Sequence, residues 1–218
     1  TILHFHGNAQ NRSTHFYQLS WLTAYGFDLI IPDYRGYGDS EGSPNKKDIY
    51  QDSLVFVRDS INLHQHLKNN QFILWGQSLG GNIALRAASE FQDKINLLIL
   101  DSTFLSYQKI AENVLKRNWI TYLISPFSDF LIDDQFSGLE VVDQINIPTM
   151  ILHGTNDTVI PSEFSNQIYE RLKLAPKTLL FFDYAKHIQA FGQEEHRLLF
   201  IKNYEKFTNT KLIQETSP

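Results

Sequence analysis

The chain has 218 residues, with 19 Lys plus Arg against 24 Asp plus Glu, and its formal charge of −5 leaves no basic surplus to hold a nucleic acid or an anionic lipid surface. Hydrophobic residues make up 42% and charged residues 20%, enough apolar material for a sizeable core and too much for a disordered chain. There is no cysteine, which removes disulfides, thiolate nucleophiles and cysteine-based zinc sites.

The chain opens on Ile2-Leu3-His4-Phe5, which reads as the middle of a buried strand, so residues upstream of Thr1 are expected and a leader peptide is not judged. Six strands are expected, at Thr1 to Phe5, Phe27 to Pro32, Phe72 to Gly76, Leu97 to Asp101, Thr149 to His153 and Thr178 to Phe182. Their continuous apolar runs predict burial on both faces. Helices are expected between them, at Ser13 to Tyr25, Lys46 to Asn69, Gly80 to Phe91, Ser162 to Leu172 and Glu194 to Thr208. Strand-helix alternation of this kind predicts an α/β fold with a mainly parallel sheet and helices on both faces, in one domain spanning 1–218. The stretch Phe104 to Gln144 breaks the rhythm and reads as a small helical cap insertion. Its longest uncharged run, Trp119 to Ser128, is about ten residues, half of what a membrane span needs. The tail Lys211 to Pro218 loses its periodicity.

The sharpest local signal is Gly76-Gln77-Ser78-Leu79-Gly80-Gly81, between an expected strand and an expected helix. A serine nucleophile on such a strained strand-to-helix turn needs glycine two positions before and two after, because side chains there would collide. The following helix aims its free N–H groups at the same spot, where an acyl-transfer oxyanion develops. The bland alternative is a glycine-rich turn with a solvent-facing serine.

A serine hydroxyl needs a histidine base and a carboxylate to orient it, in the chain order Ser, acid, His. Asp157 follows the strand ending His153, and His187 follows the next strand, one βα unit later. Among eight histidines, His187 alone lies at a strand end downstream of Asp157. Asp101 is the reserve acid, and Asp183 reads as a turn residue. The oxyanion hole is expected from the N–H of Leu79 and the backbone N–H of Asn8, which follows the first strand in His6-Gly7-Asn8-Ala9. Asn8 could instead close the turn with its side chain, and His6 reads as a brace for the loop. Gly36-x-Gly38 lacks the third glycine of a dinucleotide fingerprint, so no such cofactor is implied.

Taken together, His6-Gly7-Asn8-Ala9, Asp33-Tyr34-Arg35-Gly36-Tyr37-Gly38, Glu41-Gly42-Ser43-Pro44, the Ser78 elbow and His153-Gly154-Thr155-Asn156-Asp157-Thr158-Val159-Ile160-Pro161 resemble the α/β-hydrolase superfamily. The nearest branch is the serine aminopeptidase-like one, which includes protein depalmitoylases and monoacylglycerol lipases. The resemblance covers nearly the whole chain. It departs from the family at Lys186, where glycine usually precedes the histidine, and at the start, where the family's first strands are absent.

The reading is therefore a serine hydrolase that cleaves an ester or thioester of a small-molecule or acylated substrate, with catalytic Ser78, Asp157 and His187 and no metal or cofactor. Trp119, Ile120, Tyr122, Leu123, Phe127 and Phe130 would line an acyl pocket or pack the cap on the sheet. Two alternatives stay open. One is an aminopeptidase-like amide hydrolase, which would need a buried carboxylate for the substrate's free amine, and no acidic pair such as Glu194 and Glu195 can be placed there from the sequence. The other is a silent binding protein on the same fold.

Overall fold

The computed structural model describes residues 1–8, 11–67, 71–117 and 132–212. Six strands form one parallel sheet: β1 (Ile2–Phe5), β2 (Leu29–Ile30), β3 (Ile73–Gln77), β4 (Leu97–Asp101), β5 (Thr149–Gly154) and β6 (Lys177–Phe182). Their order is β2-β1-β3-β4-β5-β6. All six expected strands are present. β2 departs most from expectation, from six residues to Leu29–Ile30, because only Leu29 and Ile30 find partners on β1, at Ile2 and Leu3.

Among the described residues the helices are α1 (Arg12–Leu19), α2 (Lys46–His64), α3 (Leu79–Ala88), α4 (Tyr107–Lys116), α5 (Glu163–Arg171) and α6 (Glu194–Thr208). The expected helix Ser13 to Tyr25 divides at Leu19 into α1 and a 3-10 turn, Ser20–Tyr25, which ends at Gly26. Lys46 starts α2 as expected, behind the Asn45 side chain that accepts from the Asp48 N–H, but the helix stops at His64. Polar, exposed Gln65 and His66 follow it and bury no apolar stripe.

Two apolar layers enclose the sheet. On one face Leu3, Phe5, Leu74 and Leu100 pack against Val57 of α2, Ile83 and Ala84 of α3 and Ile168 of α5. On the other, Ile2, Trp75, Ile99 and Leu152 pack against Leu19 of α1 and Phe200 and Tyr204 of α6. β1, β3, β4 and β5 are buried along their whole lengths, as their continuous apolar runs require. The carboxyl ends of these strands therefore converge on one edge of a rigid slab, and the loops beyond them build the site.

Within the expected cap, α4 and two 3-10 turns, Gly138–Glu140 and Val142–Gln144, are seen. Val142 and Ile145 are fully buried in the core of the sheet, so this end of the insertion belongs to the main body. Trp119, Ile120, Tyr122, Leu123, Phe127 and Phe130 lie outside the described residues. No helix among the described residues is long and apolar enough to cross a membrane.

Candidate active site

β3 ends at Gln77 and α3 begins at Leu79, so one residue makes the turn. Ser78 has φ 56° and ψ −122°, a conformation that L-residues rarely adopt. The flanking glycines are required by contact: a Cβ at Gly80 would run into the Phe5 carbonyl of β1, and one at Gly76 into the Gly80 carbonyl and Ala84. The strained turn is held from outside as well. The Ser78 N–H donates to the Asp101 carbonyl at 2.9 Å, and the Thr103 hydroxyl donates to the Ser78 carbonyl at 2.6 Å.

Two further strand ends supply the partners. His187 Nε2 lies 3.0 Å from Ser78 Oγ, and His187 Nδ1 lies 2.7 Å from Asp157 Oδ2. With Nδ1–H donated to the carboxylate, the neutral ring presents the Nε2 lone pair to the Ser78 hydroxyl. These are the three residues the sequence pattern singles out, and they stand in one hydrogen-bonded line. Asp157 is fixed on its other side, where Oδ1 accepts the N–H groups of Val159 at 2.8 Å and Ile160 at 2.9 Å. Burial pushes its carboxyl pKa up, but the hydrogen bond and charge of His187 and these two N–H groups outweigh it and hold the group below its ordinary value. It is therefore an anion aimed at the imidazole.

The loops that carry Asp157 and His187 are knitted together. Asn156 N–H donates to the Ala185 carbonyl at 3.0 Å, and Tyr184 N–H donates to Thr155 Oγ1 at 2.8 Å. Tyr184 and Ile188 take left-handed backbone at φ 59° and 51°, folding a tight turn around His187. Lys186, the departure from the family pattern, is exposed and its backbone is outside the left-handed region, so glycine's freedom is not needed there.

Asp101, the reserve acid, lies outside this line. Its carboxylate is buried and accepts from Gln77 Nε2 at 2.9 Å and Ser102 Oγ at 3.1 Å. Burial raises its pKa despite these bonds. Asp183 is exposed at the surface. His6, expected as a brace, donates from Nδ1 to the Gly7 carbonyl at 2.8 Å, and its own carbonyl accepts from Tyr34 at 2.8 Å.

Leu79 is the first residue of α3, where a backbone N–H has no acceptor within the helix. The loop after β1 crosses close to Ser78: a Cβ on Gly7 would stand 3.4 Å from Ser78 Cβ. Asn8 Oδ1 accepts from the Tyr37 hydroxyl at 2.5 Å, so its side chain closes the turn.

Two supports escape a reading of the sequence alone. His153, at the end of β5, is fully buried, with Nδ1 2.6 Å from Ser165 Oγ and Nε2 2.9 Å from the Ile160 carbonyl, and it braces the Asp157 loop. Its signals in the sequence are its place at the head of the stretch from His153 to Pro161 and its four-residue spacing to Asp157, and neither reveals the bracing. Asn82 in α3 donates to the Phe104 and Leu105 carbonyls at 3.1 and 2.8 Å and tethers the start of the insertion to the elbow helix. A cavity of about 160 Å³ opens beside Leu79, between α2, α3 and the two ends of the insertion. Among the described residues no group of three or more His, Cys, Asp or Glu is placed to hold a metal ion.

A strained serine at a strand-to-helix elbow, over a parallel sheet in this order, with acid and histidine on later strand ends, defines a class of fold. The chain belongs to the α/β hydrolase fold family, whose model matches residues 1–122. Among curated proteins it is 37% identical over 203 residues to the uncharacterized protein YfhR of Salmonella typhimurium, covering 88% of this chain and 65% of that protein. It is 32% identical over 180 residues to the lysophosphatidylserine lipase ABHD12 of Danio rerio, covering 78% of this chain and 46% of that one. The chain thus spans less than two thirds of the length of either relative. Among solved structures it superposes on the esterase Pf2001 of Pyrococcus furiosus with a TM-score of 0.73 and 21% identity, over 95% of this chain and 81% of that one. The Paleococcus ferrophilus monoacylglycerol lipase gives 0.66 at 22%, over 95% and 93%. These structural likenesses concern the fold.

Proposed function

We propose that the protein is a serine hydrolase that cleaves a carboxylic ester or thioester through an acyl-enzyme. The observation that carries this reading is the unbroken line Asp157–His187–Ser78, with contacts of 2.7 and 3.0 Å, ending on a half-buried and strained serine. Ser78 Oγ attacks the carbonyl carbon as its proton passes to His187 Nε2, and Asp157 stabilises the imidazolium that forms. The oxyanion sits between the N–H groups of Leu79 and Asn8. Collapse breaks the bond to the alcohol or thiol, which leaves with the proton from His187. Water then attacks the acyl group on Ser78, gives its proton to His187, and the carboxylic acid departs as Ser78 recovers its hydrogen. Side chains and backbone N–H groups carry every step.

Esters are favoured over amino-terminal peptides by the surroundings. An aminopeptidase needs a carboxylate to hold the substrate's free amine. Glu194 and Glu195 lie exposed on the first turn of α6, and among the described residues no carboxylate lines the cavity beside Leu79. The relatives' names agree, since ABHD12 is a lipase and the solved structures are of an esterase and a monoacylglycerol lipase. Hydrolysis of p-nitrophenyl esters by the wild type and by Ser78→Ala tests the reading. Loss of activity in the variant supports it, and equal rates overturn it.

A further inference from the structure

The cavity beside Leu79 has an axis that the helix defines. Leu79, Ile83 and Arg86 all line it, and they stand at i, i+4 and i+7 on one face of α3. Seven residues of helix rise about 10 Å, so the cavity runs that far from the neighbour of the nucleophile. Leu79, which is next in the chain to Ser78, and Ile83 and Ile49 give it apolar walls.

The far end is closed by aromatic packing. The Arg86 guanidinium lies 4.5 Å from the centre of the Tyr50 ring, and the Phe136 ring lies 5.5 Å from it, tilted by 32°. Arg86 is ion-paired with Glu90 at 3.4 Å and, through Nε, with Glu140 at 3.6 Å, although Nε makes no hydrogen bond, and Lys46 is ion-paired with Asp133. The far end therefore carries no net positive charge to draw an anionic tail. Phe136 itself sits at φ 60°, a conformation that costs a bulky side chain of order 1 kcal/mol or more. A glycine stands two positions on, at Gly138, yet the aromatic residue occupies the left-handed position. That backbone turns the ring into the cavity, which is where the strain has a use.

We propose that this slot holds the uncharged alkyl chain of a medium-chain acyl group, and that Phe136 sets the chain length by forming its end wall. The inference rests on the hydrolase reading above and adds the substrate's acyl class to it. A zigzag carbon chain advances somewhat less than one bond length of about 1.5 Å per carbon, so a slot of about 10 Å takes roughly eight carbons.

The test is a series of p-nitrophenyl esters from acetyl to dodecanoyl, read as ratios of kcat/KM, with fluorophosphonate labelling of Ser78 measured on the same samples. Phe136→Gly opens the end wall without backbone strain, and Ile83→Phe blocks the slot halfway. Each methylene gained or lost in an apolar pocket is worth about tenfold or more. The dodecanoyl to hexanoyl ratio should rise at least about tenfold in Phe136→Gly, and the hexanoyl to acetyl ratio should fall by a similar factor in Ile83→Phe. Labelled Ser78 with one unchanged chain-length profile in all three proteins would overturn the acyl slot and leave the hydrolase reading standing. Absence of both labelling and turnover in the wild type would overturn the hydrolase reading, and the slot with it.

Discussion

Replacing Asp157 by asparagine should abolish most of the turnover while leaving the fold in place, for a reason visible in the hydrogen bonds. Oδ1 of Asp157 accepts two backbone N–H groups, from Val159 at 2.8 Å and Ile160 at 2.9 Å, and these donors require an oxygen. The amide introduced by Asp157→Asn must keep its oxygen on that side, which turns its NH2 toward His187 Nδ1. His187 then accepts at Nδ1 and carries its proton on Nε2, the nitrogen 3.0 Å from Ser78 Oγ. A protonated Nε2 cannot take the serine proton. The wrong tautomer in a Ser-His-Asp line costs about 10⁴ in kcat, equivalent to roughly 5.5 kcal/mol. The assay is p-nitrophenyl ester hydrolysis beside thermal unfolding of the same protein. A loss of less than tenfold with an unchanged midpoint would refute the assignment of Asp157. Asp157→Ala makes the contrast: it leaves both N–H groups without their partner and should lower stability by about 1–3 kcal/mol as well.

The hydroxyl of Tyr37 holds the Asn8 side chain at 2.5 Å, so Tyr37→Phe should loosen the oxyanion loop and lower kcat severalfold, about 1 kcal/mol, with KM little altered. A kcat equal to wild type would remove Tyr37 from the account. A Cβ at Gly80 would collide with the Phe5 carbonyl, so Gly80→Ala should cost about 3 kcal/mol or more in chemical denaturation, and a loss under about 1 kcal/mol would contradict that packing. Burial pushes the His4 pKa well below 6.5, with His15 and His6 adding to the effect, so the ring is neutral when folded and takes up a proton on unfolding. Because the unfolded chain then binds more protons, stability is complete above pH 6.5 and falls below it by as much as about 1.4 kcal/mol per pH unit for each such group. Urea midpoints at about pH 5.5 and 7.5, either side of that value, check this, and His4→Leu should flatten the dependence. Equal midpoints for the wild type would refute it.

Much of this architecture is legible in local pattern. Buried parallel strands announce themselves as continuous apolar runs, and Leu97–Asp101 and Thr149–Gly154 lie within one residue of expectation. Strand β2 is shorter than its pattern because Phe27 and Pro32 are apolar for reasons other than pairing at an edge. Ser78 is legible since the elbow must carry its glycines in a fixed local order. Asp157 and His187 are legible because parallel topology puts successive strand ends side by side. What escapes is what depends on distant side chains. The bond from Tyr37 to Asn8 joins loops 29 residues apart, and the cavity arises where α2, α3 and the returning end of the insertion meet. The aromatic residues expected to line an acyl pocket are outside the described residues, and the cavity that is seen draws instead on Ile49, Ile83 and Phe136.

The central claim is that His187 activates Ser78 as a nucleophile. Its most direct measurement is fluorophosphonate labelling of the purified protein, with Ser78→Ala and His187→Ala beside it and the adduct located by mass spectrometry. The account predicts one adduct, on Ser78, absent in Ser78→Ala and slowed by orders of magnitude in His187→Ala. Labelling that is absent in the wild type, or that proceeds equally without His187, would contradict it.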